Sequence, residues 1–304
     1  MKIANLRKES EMKILVTGAN GQLGHDVINE LEKRGHVAVG VDIAEMDITD
    51  ESSVQSVISE VNPDAVIHCA AWTAVDAAED CPEKVRAVNG LGTQYITNTC
   101  KQLGCKMMYI STDYVFDGQG EMPWDPDCKD YKPLNVYGQS KLDGELAVSN
   151  TLDNYFIVRI AWVFGVNGNN FIKTMLNVGK KFDTLKVVND QIGTPTYTYD
   201  LARLLVDMIE TEKYGYYHAT NEGGYISWYE FACEIFRQAY ELGHEIYSPD
   251  RLAVNAVTTT EYGLSKAKRP FNSRLDKSKL NANGFTPLPT WQDALGRYLK
   301  EIEF

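Results

Sequence analysis

Tyr137 and Lys141 stand four residues apart in the stretch Tyr-Gly-Gln-Ser-Lys, and residues at that spacing share one face of a helix. A phenol and an ammonium so placed can act on a single bound molecule. A free phenol ionises near pH ~10 and is a poor acid–base group at neutrality; a neighbouring cation favours the phenolate and brings that value toward the working range of a general acid. With 17 tyrosines in the chain, such a pair also arises by chance, and Tyr262-Gly-Leu-Ser-Lys266 is a second copy. The pair acquires meaning from the elements that position it.

Those elements begin at Lys13. The β-branched run Lys13-Ile-Leu-Val-Thr17 leads into Gly18-Ala-Asn-Gly-Gln-Leu-Gly24, and a helical pattern through Leu23, Val27, Ile28 and Leu31 ends near Gly35. His36–Asp42 reads as the next strand, with an acid at its end. Strand, glycine turn, helix, strand, acid is the order of a dinucleotide-binding βαβ unit. The glycines permit tight turning, and the helix N-terminus offers unpaired N–H groups to a pyrophosphate. The spacing is G-x-x-G-x-x-G, at Gly18, Gly21 and Gly24.

Alternation continues: helix Glu51–Val61, strand Asp64–Cys69 ending in Ala70-Ala71, helix Pro82–Leu103, strand Lys106–Ile110 closing with Ser111-Thr112-Asp113, a Pro- and Asp-rich loop over 118–133, the Tyr137 helix, and strand Tyr155–Arg159. Strands alternating with helices predict an α/β fold with a doubly wound parallel sheet, its ligand site at the carboxyl ends of the strands. Gly18–Gly24, Asp42, Ala70-Ala71, Ser111–Asp113 and 160–164 all fall at such ends, which separates the Tyr137 pair from the Tyr262 pair.

Composition narrows the partners. Apolar content of 44% and charged content of 24% are those of a globular protein, and a net charge of −12 excludes nucleic acid as the main partner. No apolar run reaches the ~20 residues of a membrane span, and a cytoplasmic location is expected. Cys69, Cys81, Cys100, Cys105, Cys128 and Cys233 show no Cys-x-x-Cys spacing; buried free thiols are expected, and no metal ligand set is visible. Residues 1–11 are polar, precede a second methionine, and read as an extension outside the fold.

Thr17–Gly24, Ser111-Thr112 and Tyr137-x-x-x-Lys141 together resemble the extended short-chain dehydrogenase/reductase superfamily. Ala70-Ala-Trp-Thr-Ala-Val-Asp76, Ser111–Gly118, Arg159-Ile-Ala-Trp-Val-Phe-Gly165 and Asn189-Asp-Gln-Ile-Gly-Thr-Pro195 resemble its dTDP-4-dehydrorhamnose reductase family, in that family's order. Trp72 departs from the family's more usual tyrosine. The resemblance implies a Rossmann-like cofactor domain over 12–165 and a smaller, mainly substrate-binding α/β domain over 166–304, some of whose elements return to the sheet. It implies NADH or NADPH as cofactor, held by Gly18, Asn20, Gly21, Gln22, Leu23, Gly24, Asp42, Asp47, Ala70, Ala71, Trp72, Tyr137 and Lys141.

The implied catalytic trio is Thr112, Tyr137 and Lys141. A ketone that accepts hydride becomes an alkoxide, so it needs a proton donor and a hydrogen bond at that oxygen. Tyr137 supplies the proton and Thr112 the hydrogen bond; Lys141 lowers the phenol pKa and holds the cofactor ribose. A nucleotide-sugar substrate is implied, contacted by Thr112, Asp113, Phe116, Trp162, Asn170 and Arg269. Asn89 resembles a supporting asparagine of the family, a solvent-facing helical position being the other reading. Reduction of dTDP-4-dehydro-L-rhamnose is the activity this implies, with a homodimer compatible. Another nucleotide-4-ketosugar reductase, a related epimerase or dehydratase, and a non-catalytic cofactor-binding regulatory subunit are the alternatives.

Overall fold

The computed structural model describes residues 11–304. The expected extension therefore lies, apart from Glu11, outside the described residues. The fold is already engaged at Met12, whose N–H donates to His36 Nδ1 at 3.2 Å and whose carbonyl accepts from Val37.

Five strands alternate with helices from there: β1 (Lys13–Thr17), β2 (Val37–Val41), β3 (Ala65–His68), β4 (Lys106–Thr112) and β5 (Tyr155–Ile160). They lie in the order β2-β1-β3-β4-β5, and Gly215–His218 adds the far edge; every pairing is parallel. The order reverses between β1 and β3, which opens a crevice at their carboxyl ends. Ile14, Leu15 and Val16 of β1 and Ala65, Val66 and Ile67 of β3 are all fully buried. Strands covered on both faces read as continuous apolar runs, which is why these were legible.

One face is covered by α1 (Gln22–Lys33), through Leu23, Val27 and Leu31, together with Thr198–Ile209, through Leu201, Leu204 and Leu205. The other carries α2 (Glu51–Val61), through Val54 and Ile58, and the helices that bring Ile96, Cys100 and Val148 inward. The expected helix over 82–103 is interrupted. Pro82–Arg86 and Gly92–Leu103 flank a π-helical turn, Ala87–Leu91, which turns Asn89 into the interior. Such turns insert one residue and re-aim a side chain.

Val136–Thr151 starts at Asn135, whose side chain accepts from the Gly138 N–H at 2.7 Å. Its inward face is polar as well as apolar, with Ser140, Lys141 and Glu145 buried beside Leu142 and Val148. Beyond 166 a second core forms from Phe171–Lys181, Trp228–Glu241 and Trp291–Glu301, packed on the parallel pair Thr184–Val188 and Ala253–Val257. Among the described residues no helix is long and apolar enough to cross a membrane. All six cysteines are free, but only Cys100 and Cys105 are buried; the other four are partly exposed, so the expectation of buried thiols holds for two.

Candidate active site

A cavity of about 720 Å³ runs along the carboxyl edge of the sheet. Its floor is the glycine turn. Gly18 adopts φ +66°, and a Cβ there would stand 2.8 Å from the Ala70 backbone; one on Gly24 would stand 2.1 Å from the Gly18 carbonyl. Only glycine permits this left-handed turn to lie so close to the next strand and to the first turn of α1. First-turn N–H groups of a helix have no intrahelical acceptor, so the cradle fits a dinucleotide pyrophosphate.

Gly18, Gly21, Gln22, Leu23, Gly24, Asp42, Asp47, Ala70, Ala71, Trp72, Thr112, Asp113, Tyr137, Lys141 and Trp162 all line this cavity. Asp42 accepts from the Asn20 N–H at 3.1 Å and from the Ile43 N–H at 2.9 Å. It thereby faces the glycine turn, while Asn20 itself is exposed. Thr49 donates its N–H and hydroxyl to Asp47, which holds that carboxyl below its usual range.

At the other end Tyr137 and Thr112 line the cavity together, and the Thr112 hydroxyl favours the charged form of the phenol. Thr112 Oγ1 also donates to Asp113 Oδ1 at 3.0 Å, and Ser273 donates to the other carboxylate oxygen. Burial raises Tyr137 well above the ordinary phenol value and raises Asp113 to about 6. Lys141, also buried, is lowered to about 7 by desolvation, against the opposing charge of Glu145. Its Nζ donates to the Ile110 carbonyl at 2.7 Å and lies 4.1 Å over the Tyr109 ring. The expectation that Lys141 lowers the Tyr137 pKa is thus not met in this arrangement, because burial dominates at the phenol and the ammonium is committed elsewhere. A phenol that keeps its proton at neutrality is a proton donor.

Asn89 is 1% exposed, which removes the solvent-facing reading. Its Oδ1 accepts from Trp72 N at 2.8 Å, and its Nδ2 donates to Trp72 O at 3.1 Å and to Ser140 Oγ at 2.9 Å. Ser140 Oγ donates to the Tyr137 carbonyl at 2.7 Å. Asn89 so joins the Ala70–Trp72 loop to the Tyr137 helix.

Three residues expected on the substrate side do not line the cavity. Phe116 is fully buried, stacked on Trp124 at 4.5 Å with the Arg159 guanidinium over its ring at 4.9 Å. Asn170 caps the helix Phe171–Lys181 through Lys173 N and donates to Gly165 O and Tyr298 Oη, each at 2.9 Å. Its side chain is consumed by holding the two cores together. Arg269 stands behind the cavity wall, paired with Asp76 at 2.8 Å and donating to the Tyr114 hydroxyl at 3.2 Å. Trp162 does line the cavity, in a left-handed conformation (φ +51°) that is uncommon for a bulky residue.

Trp228, missed from the sequence, also lines the cavity and stacks on Trp162 with ring centroids 3.7 Å apart. A signal was present: Ser227 and Glu230 form a capping box that fixes the helix start at Trp228. Ile43 and Met46 supply an apolar wall beside Asp42, with no comparable signal in the sequence.

A parallel sheet of this order, a glycine cradle at its switch point and a protonated phenol beside a threonine hydroxyl define a dinucleotide-dependent oxidoreductase of the short-chain dehydrogenase/reductase type. Comparison with known proteins narrows the class. Residues 12–304 match the RmlD substrate binding domain family, and the chain belongs to it. A dTDP-4-dehydrorhamnose reductase from Aggregatibacter actinomycetemcomitans is 40% identical over 93% of this chain and 97% of its own. The spore coat polysaccharide biosynthesis protein SpsK of Bacillus subtilis is 38% identical over 95% of this chain and 97% of its own. The solved dTDP-4-dehydrorhamnose reductase of Bacillus anthracis, in complex with NADP, superposes with a TM-score of 0.88 at 39% identity, covering 96% of this chain and 100% of that one.

Proposed function

We infer that the chain reduces the 4-keto group of dTDP-4-dehydro-L-rhamnose to give dTDP-L-rhamnose, with NADPH or NADH, for surface polysaccharide synthesis. The observation that carries this is the Thr112–Tyr137 pair at one end of a cavity whose other end is the glycine cradle. The reductase names of the relatives support the substrate, and the NADP complex of the Bacillus anthracis relative supports NADPH.

The nicotinamide, when bound, supplies the hydride. As the carbonyl carbon becomes tetrahedral, its oxygen gains charge; the Tyr137 hydroxyl gives that oxygen its proton, and the Thr112 hydroxyl, turning its one proton away from Asp113, donates a hydrogen bond to it. Burial serves the first role by keeping the phenol protonated. Lys141, its ammonium pKa lowered by burial, is the group placed to hold a ribose hydroxyl and help restore the phenol's proton. Gly18, Gly21, Gln22, Leu23 and Gly24 cradle the pyrophosphate; Asn20, Asp42 and Asp47 stand toward the adenosine side, and Ala70, Ala71 and Trp72 line the opposing strand end. Asp113, Trp162 and Trp228 face the sugar, while Arg269, behind Tyr114, would have to exchange its pairing with Asp76 to meet a diphosphate.

The same reading divides the chain into a cofactor part over 12–165 and a mainly substrate-binding part over 166–304. It sets the protein in the cytoplasm, with a homodimer as its assembly. The regulatory-subunit alternative is not favoured, since the trio is intact and several matched relatives carry reductase names. The test is NADPH and NADH oxidation against a panel of nucleotide-linked 4-ketosugars, with the product identified. Selective turnover of the dTDP-linked deoxyhexose is expected. Cofactor binding with no oxidation on any ketosugar would overturn the reading, and preference for a UDP- or GDP-linked sugar would overturn the named substrate.

A further inference from the structure

His68 is the last residue of β3, 1% exposed, inside the apolar run Ala-Val-Ile-His. Both its ring nitrogens are engaged, and the neighbours fix which one carries the proton. Thr93 Oγ1 donates to the Asn89 carbonyl at 2.7 Å, so toward His68 Nε2, at 3.1 Å, it can only accept. Nε2 therefore bears the hydrogen, and Nδ1 accepts from the Thr17 hydroxyl at 2.7 Å. Thr17 Oγ1 in turn accepts from the Ala70 N–H at 3.1 Å.

The result is one directed chain: Ala70 N–H to Thr17, Thr17 to His68, His68 to Thr93, Thr93 to the Asn89 carbonyl. Its first end sits where the glycine turn lies against Ala70, the contact that gives the cofactor cradle its depth. At its other end is the π turn whose Asn89 side chain reaches Trp72 and, through Ser140, the Tyr137 carbonyl. A neutral imidazole accepts at one edge and donates at the other, and here it bridges Thr17 and Thr93 with one side chain. Buried networks in which each donor and acceptor is matched fix geometry strongly.

We propose that His68 is a positioning residue for the reduction, coupling the cofactor cradle through Nδ1 to the proton-donor helix through Nε2. The two edges act on different steps. Loss of the Nδ1 bond lets the Thr17–Ala70 corner shift and weakens cofactor binding. Loss of the Nε2 bond loosens the Asn89 turn and displaces Tyr137 from the carbonyl oxygen. Displacements on the order of 1 Å far from the reacting atoms can cost about 10²-fold in rate.

The inference rests on Tyr137 as proton donor for its second half only; the cofactor half is independent of the substrate. The test uses His68→Leu, His68→Asn and His68→Gln in the full-length protein, with NADPH affinity from fluorescence titration and kcat at saturating NADPH and dTDP-4-dehydro-L-rhamnose, both per folded molecule. The asparagine amide overlies Nδ1 and the glutamine amide overlies Nε2. His68→Leu should lose both quantities, roughly ten- to a hundred-fold. His68→Asn should recover NADPH affinity with kcat still low, and His68→Gln should do the reverse. Equal losses in all three, or parental kinetics per folded molecule, would overturn the coupling and leave His68 a packing residue. Should the leucine variant fail to fold, Thr17→Val and Thr93→Val cut the chain from outside on either side, with the same split expected. A Tyr137→Phe variant that keeps its turnover would undo the proton-donor assignment, while the difference between His68→Asn and His68→Gln in NADPH affinity would still decide the cofactor half.

Discussion

Glu145 and Arg159 pair at 2.7 Å with neither side chain exposed. Glu145 lies eight residues beyond Tyr137 and four beyond Lys141, so the three share a helix face, and Arg159 projects from β5. Ser111 of β4 donates its hydroxyl to the same carboxylate at 2.5 Å. The pair therefore fastens the Tyr137 helix to two strands at once. Removing one partner of a buried pair leaves an uncompensated charge, which costs about 3–5 kcal/mol, whereas apolar replacement of both is often neutral. Glu145→Gln should lower the unfolding free energy in urea by roughly that amount, and Glu145→Leu with Arg159→Met should recover most of it. A single variant no less stable than an ordinary surface change would show that the pair does not anchor the helix.

The two Tyr-x-x-x-Lys copies make opposite predictions. Tyr137→Phe keeps the ring and removes the proton, so turnover should fall roughly 10²–10⁴-fold while NADPH binding is retained. Tyr262 closes the short helix Thr259–Tyr262 and is partly exposed, and Lys266 pairs with Asp80. Neither Tyr262 nor Lys266 lines the cavity. Tyr262→Phe should stay within a few-fold of the parent in steady-state NADPH oxidation; a loss matching that of Tyr137→Phe would mean that the second pair does chemistry.

What could be read from the chain and what could not follow from one distinction. β1, β3, β4 and β5 are apolar on both faces, and the glycine turn has a spacing tied to backbone geometry, so both announce themselves locally. Phe116 and Trp162 could not be told apart, because core and pocket aromatics have the same composition; only packing puts the first on Trp124 and the second on Trp228. Asn170 follows the same logic. An asparagine before a helix is as good a cap as a ligand contact, and here the cap wins. The pair Thr184–Val188 and Ala253–Val257 joins segments far apart in sequence, which no local pattern encodes. Asn89 was hidden by the π turn, since a regular helix would place it differently.

Asp42 follows β2 at the cavity wall and already accepts from Asn20 and Ile43 of the surrounding turn. A carboxylate there accepts hydrogen bonds from a ribose 2′-hydroxyl and repels a 2′-phosphate. Asp42→Ala should raise the ratio of kcat/KM for NADPH over that for NADH, chiefly through the KM of each cofactor. An unchanged ratio would show that the carboxylate, held by the backbone of the turn, does not read the ribose.

Asp113 offers a test through pH. Desolvation by burial raises its carboxyl from 3.8 to about 6, against the hydroxyl bonds from Ser273 and Thr112 that favour the charged form. Between those two values the folded chain holds a proton that the unfolded chain releases. The contribution of this group to stability therefore falls as pH rises through that window, and its full cost is present above about pH 6. An asparagine carries no such cost. Asp113→Asn should be close to the parent in urea denaturation at about pH 4, and should gain on it progressively to about pH 7.5, where the parent must bury a charge. Turnover should fall at all pH values, because Asp113 holds the Thr112 hydroxyl that the proposed mechanism turns to the substrate oxygen. Parallel stability curves for the two proteins would mean that Asp113 is charged throughout the range, its hydroxyl partners outweighing burial.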